Sequence, residues 1–432
     1  MSALTLPDSN AAPTDHIPRL RRRAETGETR FLIQFGGQGN SFLPELRRLY
    51  AEDQEVLAPF FEMCFDVLRD VQARDLVRDR EVRKRCYPFG FELRDWLRGR
   101  DAPPPETLFE CPISFPGTTI LQLALLYRIA RSGYPLEALG CSTIAATGHS
   151  QGVLAAAVFA LAAGDGGTSD PLANYLRICY DWLVWFSVAG VYIKREYQPP
   201  PIPTNDLEFS LAADERAPSP MAVVFGARTE ELQAWIDAWA AQKPGSGETS
   251  RSDAKAGVAI ALVNSPTVNV LAGHPVDLCR FRRLYLREFT RFDYDWEYLA
   301  VSAPFHSGPH LREISRTFAR DPAYTSLRYH SRDIRVPLVS FVDGKDMRGG
   351  SSLVDDLTEI LFHGRLDWYQ TLHSIYKNFV SPPASIHVLD FGPGRTSATL
   401  TRKFLEREAA DDGSPGNIIS LNRPGGMGSF LR

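Results

Sequence analysis

The stretch IAATGHSQGVLAAAVFA, residues 144–160, decides how this chain is read. A short apolar approach runs into Gly-His-Ser-Gln-Gly, and an Ala-rich segment leaves it. That order reads as strand, tight turn and helix. Gly148 and Gly152 flank the turn, where the lack of a Cβ permits a strained backbone and close helix–strand packing. Such a turn lifts the Ser150 hydroxyl out of the fold. It also points the backbone N–H of Gln151 at a reacting carbonyl, with the positive end of a helix behind it. Taken alone, the pentapeptide leaves two readings open: a nucleophile, or a serine capping a helix.

The rest of the chain narrows the classes. Its 432 residues suffice for two folding units, and 44% apolar with 23% charged residues is ordinary for a globular protein. A formal net charge of −4 gives no general attraction to nucleic acid or to an anionic membrane, so neither is an expected partner. No early stretch has the form of a signal peptide. No segment is expected to span a bilayer; the nearest, WLVWFSVAGVYI at 182–193, reads as buried helix or tunnel lining. Six dispersed cysteines without a C-x-x-C pair suit reduced core thiols in a cytoplasmic protein, with no metal site.

Outward from the turn, RFLIQFGGQGN (30–40) reads as a strand entering a Gly-rich turn. SFPGTTILQLALLYRIARSGYP (114–135) reads as a helix with Leu121, Leu125 and Ile129 on one face. KREYQPPPIPTNDLEFS (194–210) reads as a linker, with four prolines between 199 and 203. MAVVFG, RTEELQAWIDAWAAQ, VAIALVNSPTVNVLAGH and PVDLCRFRRLYLREF then give strand, helix, hairpin and helix. That succession predicts a small ferredoxin-like insert. VPLVSFVDG (336–344) and IHVLDFGPG (386–394) each read as containing a strand.

A Gly-x-Ser-x-Gly elbow also occurs in lipases and esterases, but there an acid follows the serine, the histidine comes last and an HGGG-type loop is common. Here no HGGG precedes Ser150, and His306 comes before Asp390, the best late acid. Five segments in order fit another family: FGGQGN (35–40), GHSQG (148–152), VNSPTVNVLAG (263–273), SAPFHS (302–307) and DFGPG (390–394). Together they resemble the malonyl-CoA:acyl carrier protein transacylases. GHSQG and VPLVSFVDGKDMR (336–348) look closer to the acetyltransferase domain of fungal fatty acid synthase. They are similar too to the starter unit:acyl carrier protein transacylase domain of fungal non-reducing polyketide synthases.

The resemblance implies an α/β acyltransferase fold, with an α/β-hydrolase-like large subdomain and an inserted ferredoxin-like small subdomain. The expected boundaries are a disordered leader at 1–28, the large subdomain at 29–215 and 293–410, the insert at 216–292 and a C-terminal linker at 411–432. It implies Ser150 as nucleophile and His306 as general base, with the backbone N–H groups of Gln38 and Gln151 as oxyanion hole. It further implies His149 as a pocket residue between Gly148 and Ser150, Gly152 closing the elbow, and a main-chain carbonyl near Leu361 orienting His306. Malonyl-specific relatives carry an arginine on the helix after the elbow to pair with the substrate carboxylate. Tyr180 falls there in this chain, with Arg177 about one turn away, so the expected acyl group is not carboxylated.

The expected function follows: loading of a starter acyl group from acyl-CoA, or from a partner synthase's carrier, onto the phosphopantetheine thiol of an acyl carrier protein. The route is ping-pong, with no cofactor bound by this domain and other domains of a larger synthase as neighbours. Alternatives are a fatty-acid-synthase-type acetyltransferase, an editing thioester hydrolase on the same scaffold, and an inactive carrier-docking module.

Overall fold

A computed structural model describes residues 18–164, 169–242, 257–380, 385–412 and 417–432. Among the described residues nine strands follow one another: β1 (Thr29–Phe35), β2 (Thr143–Gly148), β3 (Met221–Phe225), β4 (Val258–Ser265), β5 (Val268–Gly273), β6 (Asp295–Tyr298), β7 (Leu366–Asp367), β8 (Ser385–Asp390) and β9 (Asn417–Ser420). They form two sheets, ordered β2-β1-β8-β9 and β6-β3-β5-β4-β7.

Every pairing in the first sheet is parallel. That suits its central strand, TRFLIQF, whose last five residues are all buried, because parallel sheets are covered on both faces. Register decides what this sheet can build. Phe35 pairs with Gly148, and Gln34 pairs with Asp390, so β1, β2 and β8 end level with one another. Three loops therefore emerge side by side at the carboxyl edge: FGGQGN, GHSQG and DFGPG. Ligand sites of open α/β sheets lie at that edge. VPLVSFVDG adds only isolated bridges, Leu338 to Ala146 and Val339 to Asp346, rather than the expected regular strand.

The second sheet is mostly antiparallel. β3, helix Thr229–Gln242, β4, β5, helix Pro275–Leu284 and β6 give the split βαβ arrangement, with a hydrophobic core of its own. The insert is larger than 216–292. β6 lies beyond that boundary and pairs with β3. Before it, helix Thr204–Asp214 occupies part of the expected linker and docks on the insert: Asp206, fully buried, pairs with Arg283 at 2.8 Å and Arg280 at 3.2 Å. β7 comes from the large subdomain and extends the insert's edge, pairing parallel with β4.

Both expected tails need correction. Of the 1–28 leader, 1–17 lie outside the described residues, but Arg19–Glu25 is a helix with Ala24 buried. The 411–432 segment is not a linker: β9 pairs with β8, and Leu421, Met427 and Phe430 are buried. The Phe430 ring stacks on Tyr134 at 5.5 Å and meets Phe31 edge-on at 5.9 Å. The Arg19 N–H donates to the Arg432 carbonyl at 3.1 Å, so the first described helix meets the C-terminal one.

Two helices, Cys111–Arg131 and Pro171–Glu196, are long and apolar enough to cross a membrane by length and composition, and both are mostly buried in the fold. All six thiols are unpaired, and all but Cys141 are buried.

Phe430→Ala removes a fully buried ring. Denaturant unfolding should show a loss of about 3–5 kcal/mol; a loss under about 0.5 kcal/mol would mean that the C-terminal segment is a loose tail.

Candidate active site

Ser150 has φ +54°, a left-handed conformation that side chains seldom adopt. Close packing enforces it. A Cβ on Gly148 would lie 2.0 Å from the Gly152 carbonyl carbon, and one on Gly152 would lie 2.3 Å from the Phe35 carbonyl oxygen. The His149 N–H donates to that same oxygen at 2.8 Å. Helix Gly152–Ala162 can then lie directly against the sheet, with all eleven of its residues buried. Its N-cap is Gln151, with no side-chain capping bond, so the capping reading of Ser150 fails. The Ser150 Oγ instead faces the His306 Nε2 at 2.8 Å.

His306 also has a positive φ, +58°. Its Nδ1 lies 3.0 Å from the Gly364 carbonyl and 3.3 Å from that of Ile360. Carbonyls only accept, so Nδ1 carries the proton and Nε2 is left as the acceptor for Ser150. Burial pushes the imidazole down to about 4, against a smaller upward pull from the Gly364 carbonyl. The ring is neutral at pH 7 and ready to take a proton. Asp390 plays no part in this dyad. It is buried beneath the site, accepts from Gln34 at 2.8 Å and Ser397 at 2.6 Å, and burial raises its carboxyl to about 6.

The FGGQGN turn lies against the elbow, since a Cβ on Gly37 would lie 2.6 Å from the His149 carbonyl oxygen and 3.0 Å from the Ser150 Cβ. Gln38 is thereby brought alongside Ser150. The side chains of both glutamines point away and anchor their loops: Gln38 donates to the Ser114 Oγ, and Gln151 to the Phe115 carbonyl at 3.0 Å. Among the described residues, neither Gln38 N–H nor Gln151 N–H donates to a backbone carbonyl. Beneath them, Gln122 donates to the Gly36 carbonyl at 2.7 Å and the Gly392 carbonyl at 2.6 Å. That side chain ties FGGQGN to DFGPG.

The insert reaches the site through β4. The His149 Nε2 lies 2.8 Å from the Asn264 Oδ1, and the His149 ring meets Trp368 edge-on at 5.3 Å. Burial lowers the His149 pKa, so this ring is also neutral and donates to Asn264. β7, which extends the insert's sheet, begins two residues after Gly364. The segment that orients His306 is thus fastened to the same sheet that carries Asn264.

The fold brings Ser150, His306, Gln38, Gln151, His149, Gly148 and Gly152 together. The expected main-chain carbonyl near Leu361 corresponds to those of Ile360, just before it, and Gly364, three residues on, while Leu361 itself is packed in the core. Tyr180 is not in the pocket. Its hydroxyl donates to Asp70 at 3.0 Å, on helix Gln54–Gln72. Further along the helix that carries Tyr180, Pro171–Glu196, Phe186 stacks on Phe115 at 4.4 Å. Arg177 lies on the surface with Asn174, Asp181 and Tyr329. The sequence marks no role for Ser114, Phe115, Gln122 or Gly364, and Asn264 reads there as hairpin structure within VNSPTVNVLAG rather than as a partner of His149.

The family described as "Starter unit:ACP transacylase in aflatoxin biosynthesis" matches residues 33–306. A fatty acid synthase subunit beta of Gibberella zeae is 29% identical over 391 residues, covering 88% of this chain and 17% of that protein. The chain therefore spans under a fifth of that relative's length. Among solved structures, the malonyl CoA-acyl carrier protein transacylase (FabD) of Coxiella burnetii superposes with TM-score 0.61 at 18% identity, over 94% of this chain and 98% of that one. A malonyl-transacylase solved with its type II polyketide synthase acyl carrier protein gives TM-score 0.61 at 18% identity, over 93% and 99%. At such identities the likeness establishes the fold.

A neutral base at pH 7 sets the pH dependence. Protonation of His306 disables it, and that occurs only near pH 4. The rate of Ser150 acylation by an acyl thioester should stay level from pH 8 to about 5 and fall by half near 4, with circular dichroism confirming the fold at each pH. A half-fall near pH 6.5 would mean a solvated imidazole.

Proposed function

The chain belongs to the starter unit:ACP transacylase family, and from that premise we propose that it moves a non-carboxylated starter acyl group from a thioester through Ser150 to the phosphopantetheine thiol of an acyl carrier protein. The observation that carries this reading is the Ser150–His306 pair at 2.8 Å, with the Nδ1–H of the base held by carbonyls.

In the first half, the Ser150 Oγ attacks the thioester carbonyl as its proton passes to the His306 Nε2. The oxyanion accepts from the backbone N–H groups of Gln38 and Gln151, where one such donor is worth about 10² to 10³ in rate. The tetrahedral adduct collapses, and the departing sulfur takes the proton from His306. In the second half the carrier thiol gives its proton to His306 and attacks the acyl-serine. Ser150 leaves as the hydroxyl, regaining the proton. No carboxylate is needed behind the base, because main-chain carbonyls fix the tautomer.

The absence of a charged partner supports a plain acyl group. Among the described residues the one arginine with a buried side chain is Arg282, and it pairs with Asp214 at 3.1 Å inside the insert. A malonyl carboxylate placed against Phe115 and Phe186 would be buried without a counter-charge. The alignment with a short part of a fungal synthase subunit supports work beside other synthase domains, with acyl-CoA or another carrier as donor. Unpaired thiols suit a reducing, cytoplasmic setting.

Intact-mass measurement with acetyl- and malonyl-thioesters tests the reading. The wild type should gain one acetyl group and far less malonyl, and Ser150→Ala should gain neither. His306→Ala should slow acylation by about 10² to 10⁴. An adduct that survives Ser150→Ala, malonyl loading that outruns acetyl, or release to water in preference to a carrier thiol would each contradict it.

A further inference from the structure

We propose that Phe186, stacked on Phe115, sets the length of the acyl group that Ser150 carries, and that the enzyme selects two- and three-carbon groups over chains of six carbons or more. This rests on the reading of Ser150 as the acyl-bearing residue.

An acyl-serine carbonyl has three directions to fill. Its oxygen points at the backbone N–H groups of Gln38 and Gln151. The incoming or leaving sulfur lies on the His306 side, because the Nε2 must exchange a proton with it. The alkyl chain takes what remains, and the walls there are aromatic. Phe305, next to the base, lies 5.4 Å from Phe115 between ring centroids, and Phe115 lies 4.4 Å from Phe186. The Phe115 carbonyl accepts from the Gln151 side chain at 3.0 Å, so this ring is fixed between the oxyanion elbow and the neighbour of the base. On the other wall, His149 and Asn264 are hydrogen-bonded at 2.8 Å, and Trp368 packs against His149.

The aromatic column is closed. Phe115, Phe186 and Phe305 are 1%, 1% and 3% exposed. Phe186 is backed by Trp185 at 6.0 Å, which is itself held by Phe318 at 5.2 Å and Trp182 at 5.6 Å. Nothing behind the ring lets it swing aside cheaply, since a packed interior resists added methylenes. On this reading a short acyl group stops at Phe115, whereas a six-carbon chain must displace Phe186. A misfit of one methylene typically changes kcat/KM by about 10- to 200-fold.

The test is the rate of Ser150 acylation by the N-acetylcysteamine thioesters of acetate, butyrate, hexanoate and octanoate, read by quenching and intact mass. The wild type should load acetyl at least about tenfold faster than hexanoyl. Phe186→Ala should lower that acetyl-to-hexanoyl ratio by at least about tenfold, and Phe186→Leu should move it the same way by less. Phe60→Leu, in the core against Phe61 and Tyr127, controls for general loosening and should keep the wild-type ratio. Hexanoyl loading as fast as acetyl in the wild type, or an unchanged ratio in both Phe186 variants, overturns the inference while leaving Ser150 as nucleophile. No adduct with any thioester overturns the proposed function, and this inference with it.

Discussion

The site depends on one steric constraint: the backbones at the ends of β1 and β2 approach closer than any side chain allows. Space for a Cβ is missing at Gly148, Gly152 and Gly37 alike. The helix after the elbow can therefore seat its N-terminus directly over the sheet, with its partial positive charge where an oxyanion would form. Ser150 is left in a left-handed backbone conformation that carries its hydroxyl to His306. The strain at Ser150 is held by the surrounding packing, as expected when structure over-determines a sparsely populated conformation. Strand register does the remaining positioning, because β1, β2 and β8 end at the same level.

The electrostatics follow from burial. A base beside a carboxylate would be pulled up toward its charged form. Here the base is held by two carbonyls and surrounded by apolar groups, including Phe341 at 5.2 Å, and its pKa falls. The carboxylate that might have served, Asp390, goes to architecture. It joins Gln34 and Ser397 beneath the strand ends, and Thr401 completes that network by donating to Gln34 at 2.8 Å. Division of labour between the two subdomains is similarly physical. The large one supplies Ser150, His306, Gln38 and Gln151, and the insert supplies Asn264 and the sheet edge that β7 joins.

Much of this was legible in the sequence where the determinants are local. A serine between glycines after an apolar run can be read directly, and so can the alternation of elements in the insert. The ends were misread because their composition misled. LNRPGGMGSFLR has the glycine and proline of a linker, yet Leu421, Met427 and Phe430 fill gaps in the large core. The leader's RLRRRAE has the charge of a solvated tail but buries Ala24. Tyr180 was misplaced by helical phase. Phe186 lies six residues further on, about 1.7 turns at 3.6 residues per turn, which puts the two side chains on different faces. Ser114, Gln122 and Gly364 act through contacts across 58 or more residues, which no window along the chain reports.

If converging strand ends hold one acyl-serine, a crystal structure of the acyl-enzyme, trapped by soaking the His306→Ala protein with an acetyl thioester, should show an ester on the Ser150 Oγ, with its carbonyl oxygen within about 3 Å of the backbone nitrogens of Gln38 and Gln151. An ester on another residue, or a carbonyl oxygen turned away from both nitrogens, would contradict it.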